Sequence, residues 1–414
     1  MRVAFFPDAY NEVDGVANTS RHFEAFSKSR ALPFLTVHAG PGKEILTSGS
    51  VTRVQLPRGP LTFPLDQTHQ YDLAFWRHYR EVASIVKEFN PDVVQITGPS
   101  DVGMLGALIA HRLSVPLAAS WQTNLHLYAR TRLAPALSRL PESLSGRLLS
   151  AVERWTLLAA MRFYKIPRLL FAPNREIVDL LGKSTGKPCF LMSHSVDSAA
   201  FSPEFRDRER GTFTIGYVGR LTAEKNVRSL ATIERALLSL GHTNFRLVIV
   251  GEGAERKWLE ENTRHAEFTG VLTGKDLSRA FANMDLFVFP SETDTFGLVV
   301  LEAFASGVPA VVREAGGPKE IVQHGKTGYV AGNLEQFVAF TDSLLKEPEV
   351  LRSMGLAARE YALSTSWEKI FEGMYKAYAQ CFYGATARES SARAPTTANA
   401  KYVTPATEES TVVS

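Results

Sequence analysis

The sequence predicts an α/β protein made of two doubly wound parallel sheets that face each other across a cleft. Three observations point there. Short apolar runs alternate with helical patterns, the alternation begins again half-way along the chain, and 414 residues suit two compact cores better than one.

In the first half, apolar runs lie at 3–7, 34–39, 93–97, 117–120 and 169–172. Helical patterns at 15–28, 72–89 and 101–113 fall between them. Short buried runs joined through helices are the mark of parallel strands with crossover connections. The second half repeats the scheme with runs at 213–218, 245–250, 286–289 and 310–312. Between the halves, proline, serine and the cluster Arg206-Asp207-Arg208-Glu209-Arg210 read as a linker. The expected division is a first domain over 1–195, a linker over 196–211 and a second domain over 212–365. A C-terminal helix over 366–385 is expected to pack back on the first domain, and an Ala-, Thr- and Ser-rich tail over 386–414 to be disordered.

Hydrophobic residues make up 45% and charged residues 21%, as in a soluble globular protein, and a net charge of +3 implies no nucleic-acid partner. Two distant cysteines, Cys189 and Cys381, predict a reducing compartment rather than a disulfide framework. With neither a signal-peptide pattern nor an apolar run long enough to span a bilayer, a cytoplasmic protein is expected. Charge is uneven: between Trp121 and Leu170 eight basic residues stand against Glu142 and Glu153. Within that stretch Leu144, Leu148, Leu149, Val152, Trp155 and Leu158 recur at helical spacing. The favoured reading packs this apolar stripe into the domain and leaves the arginines in water. The alternative is peripheral contact with an anionic membrane from the cytoplasmic side.

The segment from Leu286 to Pro309 is the richest in chemistry. A buried strand ends at Pro290, a polar loop follows, and a helix is expected from Phe296 to Gly307, a left-handed C-cap. Free amides at Phe296, Gly297 and Leu298 would favour an anion, and Gly297 would let a phosphate come close. Asp294 and Glu302 flank that turn, eight residues apart. Carboxylate, amides, carboxylate match the order of hydroxyls, diphosphate and hydroxyls in a nucleotide sugar, although an isolated pair at this spacing is more often a solvated helix face. A second strand ends in Gly219-Arg220-Leu221-Thr222-Ala223-Glu224-Lys225-Asn226, where Arg220 and Lys225 could neutralise a diphosphate leaving group. A third, Val250-Gly251-Glu252-Gly253, is a tight turn of the structural sort.

Together these loops resemble the donor half of the family 4, group 1 type glycosyltransferases. Gly219 to Asn226 is similar to that family's phosphate loop, and Asp294 to Glu302 to its Glu-x7-Glu motif with Asp in the first place. Gly316-Gly317-Pro318 with Glu320, and Gly325 with Gly328-Tyr329, are also similar to the family's sequences. The resemblance runs over roughly residues 1 to 385. It implies a GT-B fold of two Rossmann-like domains and retaining transfer of a hexose from a nucleotide-diphosphate sugar to a lipid, glycan or small-molecule acceptor. It also implies roles for particular residues: Asp294 orients the transferred sugar, Glu302 holds the ribose and Gly15 faces the donor phosphates. The base would lie near 268–272, at Val271. In Ser120-Trp121-Gln122-Thr123-Asn124, Gln122 stands where many relatives carry a reaction-centre histidine, and His126 lies four residues on. No Asp-x-Asp pair for Mg²⁺ occurs, so neither metal nor other cofactor is expected. A nucleotide-sugar epimerase of the same architecture and a non-catalytic nucleotide-sugar binder are the alternatives.

Overall fold

A computed structural model describes residues 1–383, apart from 13, 65–69, 125–126, 128–132, 134–136, 138–140, 208–210 and the side chains of Pro64 and Glu142. The expected disorder over 386–414 lies outside the described residues.

The first half supplies β1 (Val3–Phe6), β2 (Phe34–Gly40), β3 (Glu44–Ser48), β4 (Val51–Pro57), β5 (Thr62–Pro64), β6 (Gln70–Asp72), β7 (Val93–Ile96), β8 (Leu117–Ser120), β9 (Leu169–Ala172) and β10 (Cys189–Leu191). Eight of these form one sheet in the order β10-β9-β8-β7-β1-β2-β4-β3, while β5 and β6 pair as a small hairpin. The sheet is parallel except for its edge strand β3, which runs antiparallel to β4. The second half supplies β11 (Phe213–Val218), β12 (Phe245–Val250), β13 (Ala266–Gly270), β14 (Leu286–Phe289), β15 (Ala310–Arg313) and β16 (Gly328–Ala331). They form a parallel sheet in the order β13-β12-β11-β14-β15-β16. Winding reverses between β1 and β7 in one sheet and between β11 and β14 in the other. Crevices at the carboxyl ends of such strand pairs are where open α/β sheets take ligands.

Helices cover both sheets. In the first half they are α1 (Gly15–Ser29), α2 (Tyr79–Phe89), α3 (Asp101–Arg112), α4 (Glu142–Tyr164) and α5 (Arg175–Thr185). In the second half they are α6 (Ser229–Ser239), α7 (Arg256–Asn262), α8 (Gly274–Ala282), α9 (Leu298–Ala305), α10 (Pro318–Ile321), α11 (Leu334–Lys346), α12 (Pro348–Ser364) and α13 (Trp367–Tyr378). The apolar runs read from the sequence are central strands whose residues are buried on both sides, as Val3, Ala4 and Phe6 illustrate. Strands β3, β4, β13 and β16 escape that signal: β3 is exposed throughout, β13 is half-buried with Glu267 exposed, and β4 and β16 mix buried with half-buried positions.

Two expectations are corrected. The helix expected from 72 begins at Tyr79, after a 3-10 turn over Phe75–His78. Asp72 is buried and accepts hydrogen bonds from the amides of Gly59 and Ala74, so it ends β6 instead of opening a helix. The stripe on α4 does not pack inward as a unit. Leu149 and Val152 are half-buried, but Leu144, Leu148, Trp155 and Leu158 point to solvent. At about 100° per residue the two sets lie on different sides of the helix.

The chain passes between the domains twice. Met192 still packs in the core of the first half, whereas Val196 belongs to the second. The return is α13, whose Phe371 stacks on Phe23 of α1 at 4.7 Å between ring centres. Its Tyr378 hydroxyl donates to the fully buried Gln95 of β7 at 2.9 Å. No helix among the described residues is long and apolar enough to cross a membrane. Phe371→Ala removes a fully buried ring from the α1–α13 contact, and urea unfolding is expected to show a loss of about 3–5 kcal/mol.

Candidate active site

The β11–β14 crevice holds most of the residues singled out in the sequence. The backbone leaves β11 through Gly219, whose φ of +154° only glycine adopts readily. A short 3-10 turn over Ala223–Lys225 then turns Lys225 inward, where it is buried. Its Nζ donates to Asp294 Oδ1 at 2.6 Å, joining the β11 loop to the β14 loop. Thr293 Oγ1 adds a bond to the Glu224 carbonyl at 3.0 Å. Arg220 is a third exposed at its side chain and lies 4.0 Å from Glu224. The Gly251 turn packs against the back of this loop, with Leu221 N donating to Glu252 O at 2.9 Å, in keeping with a structural part.

Asp294 Oδ2 is buried with no hydrogen-bond partner among the described residues. An orphaned carboxylate oxygen is costly and leaves this one open to a hydrogen-bond donor. Three residues on, Gly297 has a φ of +93° and caps α9, which begins at Leu298 and not at Phe296 as expected. The loop cannot join the helix earlier because it is tied elsewhere. Gly317 N donates to Asp294 O at 2.9 Å, and the Phe296 ring leans on buried His194 at 4.4 Å. The first-turn amides are therefore those of Gly297, Leu298 and Val299, which have no acceptor among the described residues. Gly307, with a φ of +73°, follows the helix as the sequence suggests.

Glu302 stands on the second turn of α9 and is partly exposed. Its carboxylate forms no ion pair or hydrogen bond among the described residues. Deep placement beneath surrounding chain pushes its carboxyl up to about 7. The stretch from Asp294 to Glu302 is thus a pinned loop running into the start of the helix, with Asp294 Oδ2, the first-turn amides and the Glu302 carboxylate lacking partners among the described residues.

The opposite wall comes from the first half. Gln122 is buried beyond β8, and its carbonyl accepts from Thr295 Oγ1 at 2.8 Å. Asn124 Nδ2 donates to Thr293 O at 3.1 Å, and Asn174 Nδ2 to Thr295 O at 2.6 Å. Glu320, from the Gly-Gly-Pro motif, accepts from Arg175 N at 2.9 Å. Gly15 opens α1 behind the cap Asp14, and a Cβ there would meet nothing within 4 Å. Val271 is 61% exposed at the rim, and no described contact ties it to the acids. His126 lies outside the described residues. Sequence reading missed Asn124, Asn174 and His194. Asn174 is legible as an N-cap, accepting from Ile177 N at 2.9 Å, but nothing local announces its reach across the cleft.

Two Rossmann-like domains with a braced, anion-ready loop between them are the GT-B arrangement of nucleotide-sugar transferases. The sucrose-phosphate synthase from Thermosynechococcus elongatus superposes with a TM-score of 0.72 at 17% identity, over 92% of this chain and 99% of that one. The description "Glycosyl transferases group 1" matches residues 201–361, and "Glycosyl transferase 4-like domain" matches 34–182. The GDP-mannose-dependent alpha-mannosyltransferase of Corynebacterium glutamicum is 31% identical over 313 residues, 72% of this chain and 70% of that protein. The sulfoquinovosyl transferase SQD2 of Arabidopsis thaliana is 30% identical over 390 residues, 88% of this chain and 71% of its own length. The chain belongs to the group 1 glycosyltransferases.

Two outcomes follow from this geometry. Gly297→Ala places a side chain on a left-handed backbone, with a Cβ 2.8 Å from Pro318 Cγ, and should cost about 1–3 kcal/mol by urea unfolding. For Glu302 the folded carboxyl sits above its unfolded value of 4.5, so the native state prefers the protonated acid. Stability is therefore lost as pH rises from there through about 7. Glu302→Gln should match wild type in melting temperature at about pH 4 and exceed it increasingly up to about pH 8, with no further gain beyond.

Proposed function

We propose that the protein transfers a hexose of the mannose or glucose type, with retention of anomeric configuration, from a nucleotide-diphosphate sugar to a lipid, glycan or small-molecule acceptor. The observation that carries this reading is the buried, unpartnered Oδ2 of Asp294 beside the free amides of α9. A sugar hydroxyl donating to Asp294, a diphosphate on the Gly297–Val299 amides and a ribose hydroxyl on Glu302 would satisfy all three features in the order a nucleotide sugar presents them. Arg220 and Lys225 would add positive charge to the diphosphate. The names of the mannosyltransferase relatives make GDP-mannose the first donor to try.

In this reaction the bond from the anomeric carbon to the β-phosphate oxygen breaks, and its electron pair stays on that oxygen. The acceptor oxygen bonds to the carbon on the same face, and its proton passes to the departing phosphate. No protein base is required. Gln122 can offer the reaction centre a hydrogen bond but no proton at neutral pH, which suits that route. The cationic loop and helix amides take up the leaving-group charge, so the reaction is proposed to need no divalent ion.

The test is nucleotide release from GDP-, UDP- and ADP-sugars by the purified chain, with and without chelator. One donor should support release, and Asp294→Asn and Lys225→Ala should each slow it about 100-fold or more while leaving the fold intact by circular dichroism. Isomerisation of the donor sugar without nucleotide release would overturn the proposal, and an absolute divalent-ion requirement would overturn its metal-free part.

A further inference from the structure

We propose that a cavity beneath α8, on a part of the second domain remote from the donor loops, binds a small neutral saccharide. The cavity measures about 240 Å³ and lies between α8 and the strands β11, β12 and β13. Successive residues of a strand point to opposite faces, and the parallel register sets Thr214 beside Arg246 and Val248 beside Glu267. With Thr269 these side chains form the floor. The other face of the same strands carries Ile215, Tyr217, Leu247 and Ile249, all fully buried. A parallel sheet covered on both faces is expected to be apolar on both, so the hydroxyl and charged groups mark a patch that no helix seals. Thr214, Arg246 and Glu267 are each the second residue of their strand, whereas Lys225 and Asp294 stand beyond the carboxyl ends of theirs.

Helix α8 is the roof, and it turns a polar side to that floor. Asp276, Arg279 and Ala280 line the cavity, joined by Asn283 at the end of the helix. With about 100° of turn per residue these four share an arc of about 100°, while Leu277 and Phe281 turn the other way into the domain core. Asp207, on the chain that leads into β11, holds the roof by accepting from Asn283 Nδ2 at 2.7 Å and lying 2.9 Å from Arg279 Nε. On the floor, Arg246 Nη1 donates to Glu267 at 2.9 Å and its Nε to Thr214 Oγ1 at 3.2 Å. Arg279 keeps both terminal nitrogens, Arg246 its Nη2 and Asp276 its carboxylate without a partner among the described residues.

The walls select the ligand. Two arginines stand against Glu267 and Asp276, so no surplus charge draws an anion. No aromatic ring lines the cavity among the described residues, so a nucleotide base has nothing to stack on. The volume falls below the roughly 300–1,000 Å³ of pockets that take drug-sized ligands, which excludes a nucleotide sugar on size as well. Donors and acceptors interleave instead. A pyranose hydroxyl both gives and accepts a hydrogen bond, and a carboxylate or a guanidinium fork spans two neighbouring hydroxyls. Val248 and Ala280 leave an apolar strip for the C–H face of the ring.

This inference is independent of the donor site and is tested apart from it. The purified full chain is titrated with methyl α-mannoside and methyl α-glucoside, with the corresponding hexose phosphates for comparison, and binding is followed by saturation-transfer NMR. At least one neutral glycoside should bind saturably and no more weakly than its phosphate. Ala280→Trp, which fills the cavity, should abolish that binding. Asp276→Ala, at an exposed side chain with no bond to the rest of the fold, should weaken it about five- to tenfold. Circular dichroism and donor-dependent nucleotide release should match wild type in both variants, and Asp276→Ala carries the test alone where the tryptophan disturbs the fold. Asp294→Asn and excess GDP should leave glycoside binding unchanged. Absence of saturable binding, binding that Asp276→Ala leaves at its full strength, or binding displaced by GDP or lost in Asp294→Asn would overturn the proposal. Tighter binding of a hexose phosphate would overturn it in favour of an anion site.

Discussion

The contact on which the site depends is the buried ion pair of Lys225 and Asp294. It joins two loops that the chain reaches some seventy residues apart, one after each strand of the pair where the second sheet reverses its winding. Taking both charges out of water is expensive, and either one left alone would cost several kcal/mol, roughly 3–5. The pair is therefore a weak source of stability and a strong source of geometry. It directs one carboxylate oxygen at the lysine and leaves the other, Oδ2, buried with no hydrogen-bond partner among the described residues.

The rest of the loop is held from outside its own domain. Thr293, Asp294 and Thr295 give carbonyls to Asn124, Gly317 and Asn174, and Thr295 gives its hydroxyl to Gln122. Only one of these four partners, Gly317, lies in the second domain. The loop is thus held by both halves, and its shape is coupled to their approach. His194 strengthens that coupling. It lies where the chain first passes between domains, packs against Phe296, and meets Trp367, where the chain passes back, edge to face at 5.8 Å. Ser195 and Thr365 bond across the same place at 2.9 Å. Burial pushes the His194 imidazole down to about 4, so it acts as a neutral aromatic wedge at ordinary pH.

Gln122 limits what the first domain can contribute at this wall. The Gln122 backbone anchors the β14 loop, a task any residue could perform, whereas its side chain is buried and cannot carry charge. Asp294 carries its carboxylate on a shorter arm than a glutamate would. Its pairing with Lys225 shows that the shorter reach still meets the cation.

Central strands, the two-domain plan and the chemistry-bearing loops were legible in the sequence, because parallel strands covered on both faces are continuous apolar runs and glycines mark the turns beyond them. The acids, the cations and Gly297 could be named from their spacing and from family resemblance. Edge strands such as β3 were not legible, because a strand with no buried face leaves no hydrophobic signature. Nor was the start of α9 at Leu298, because the loop before it is tied by Gly317, His194, Gln122 and Asn174, all distant in sequence. The sequence by itself determined which charged residues and glycines stand at the strand ends. Tertiary structure alone decided which oxygens and amides lack partners among the described residues, and which side of α4 faces water, since both follow from contacts between segments that local periodicity cannot register.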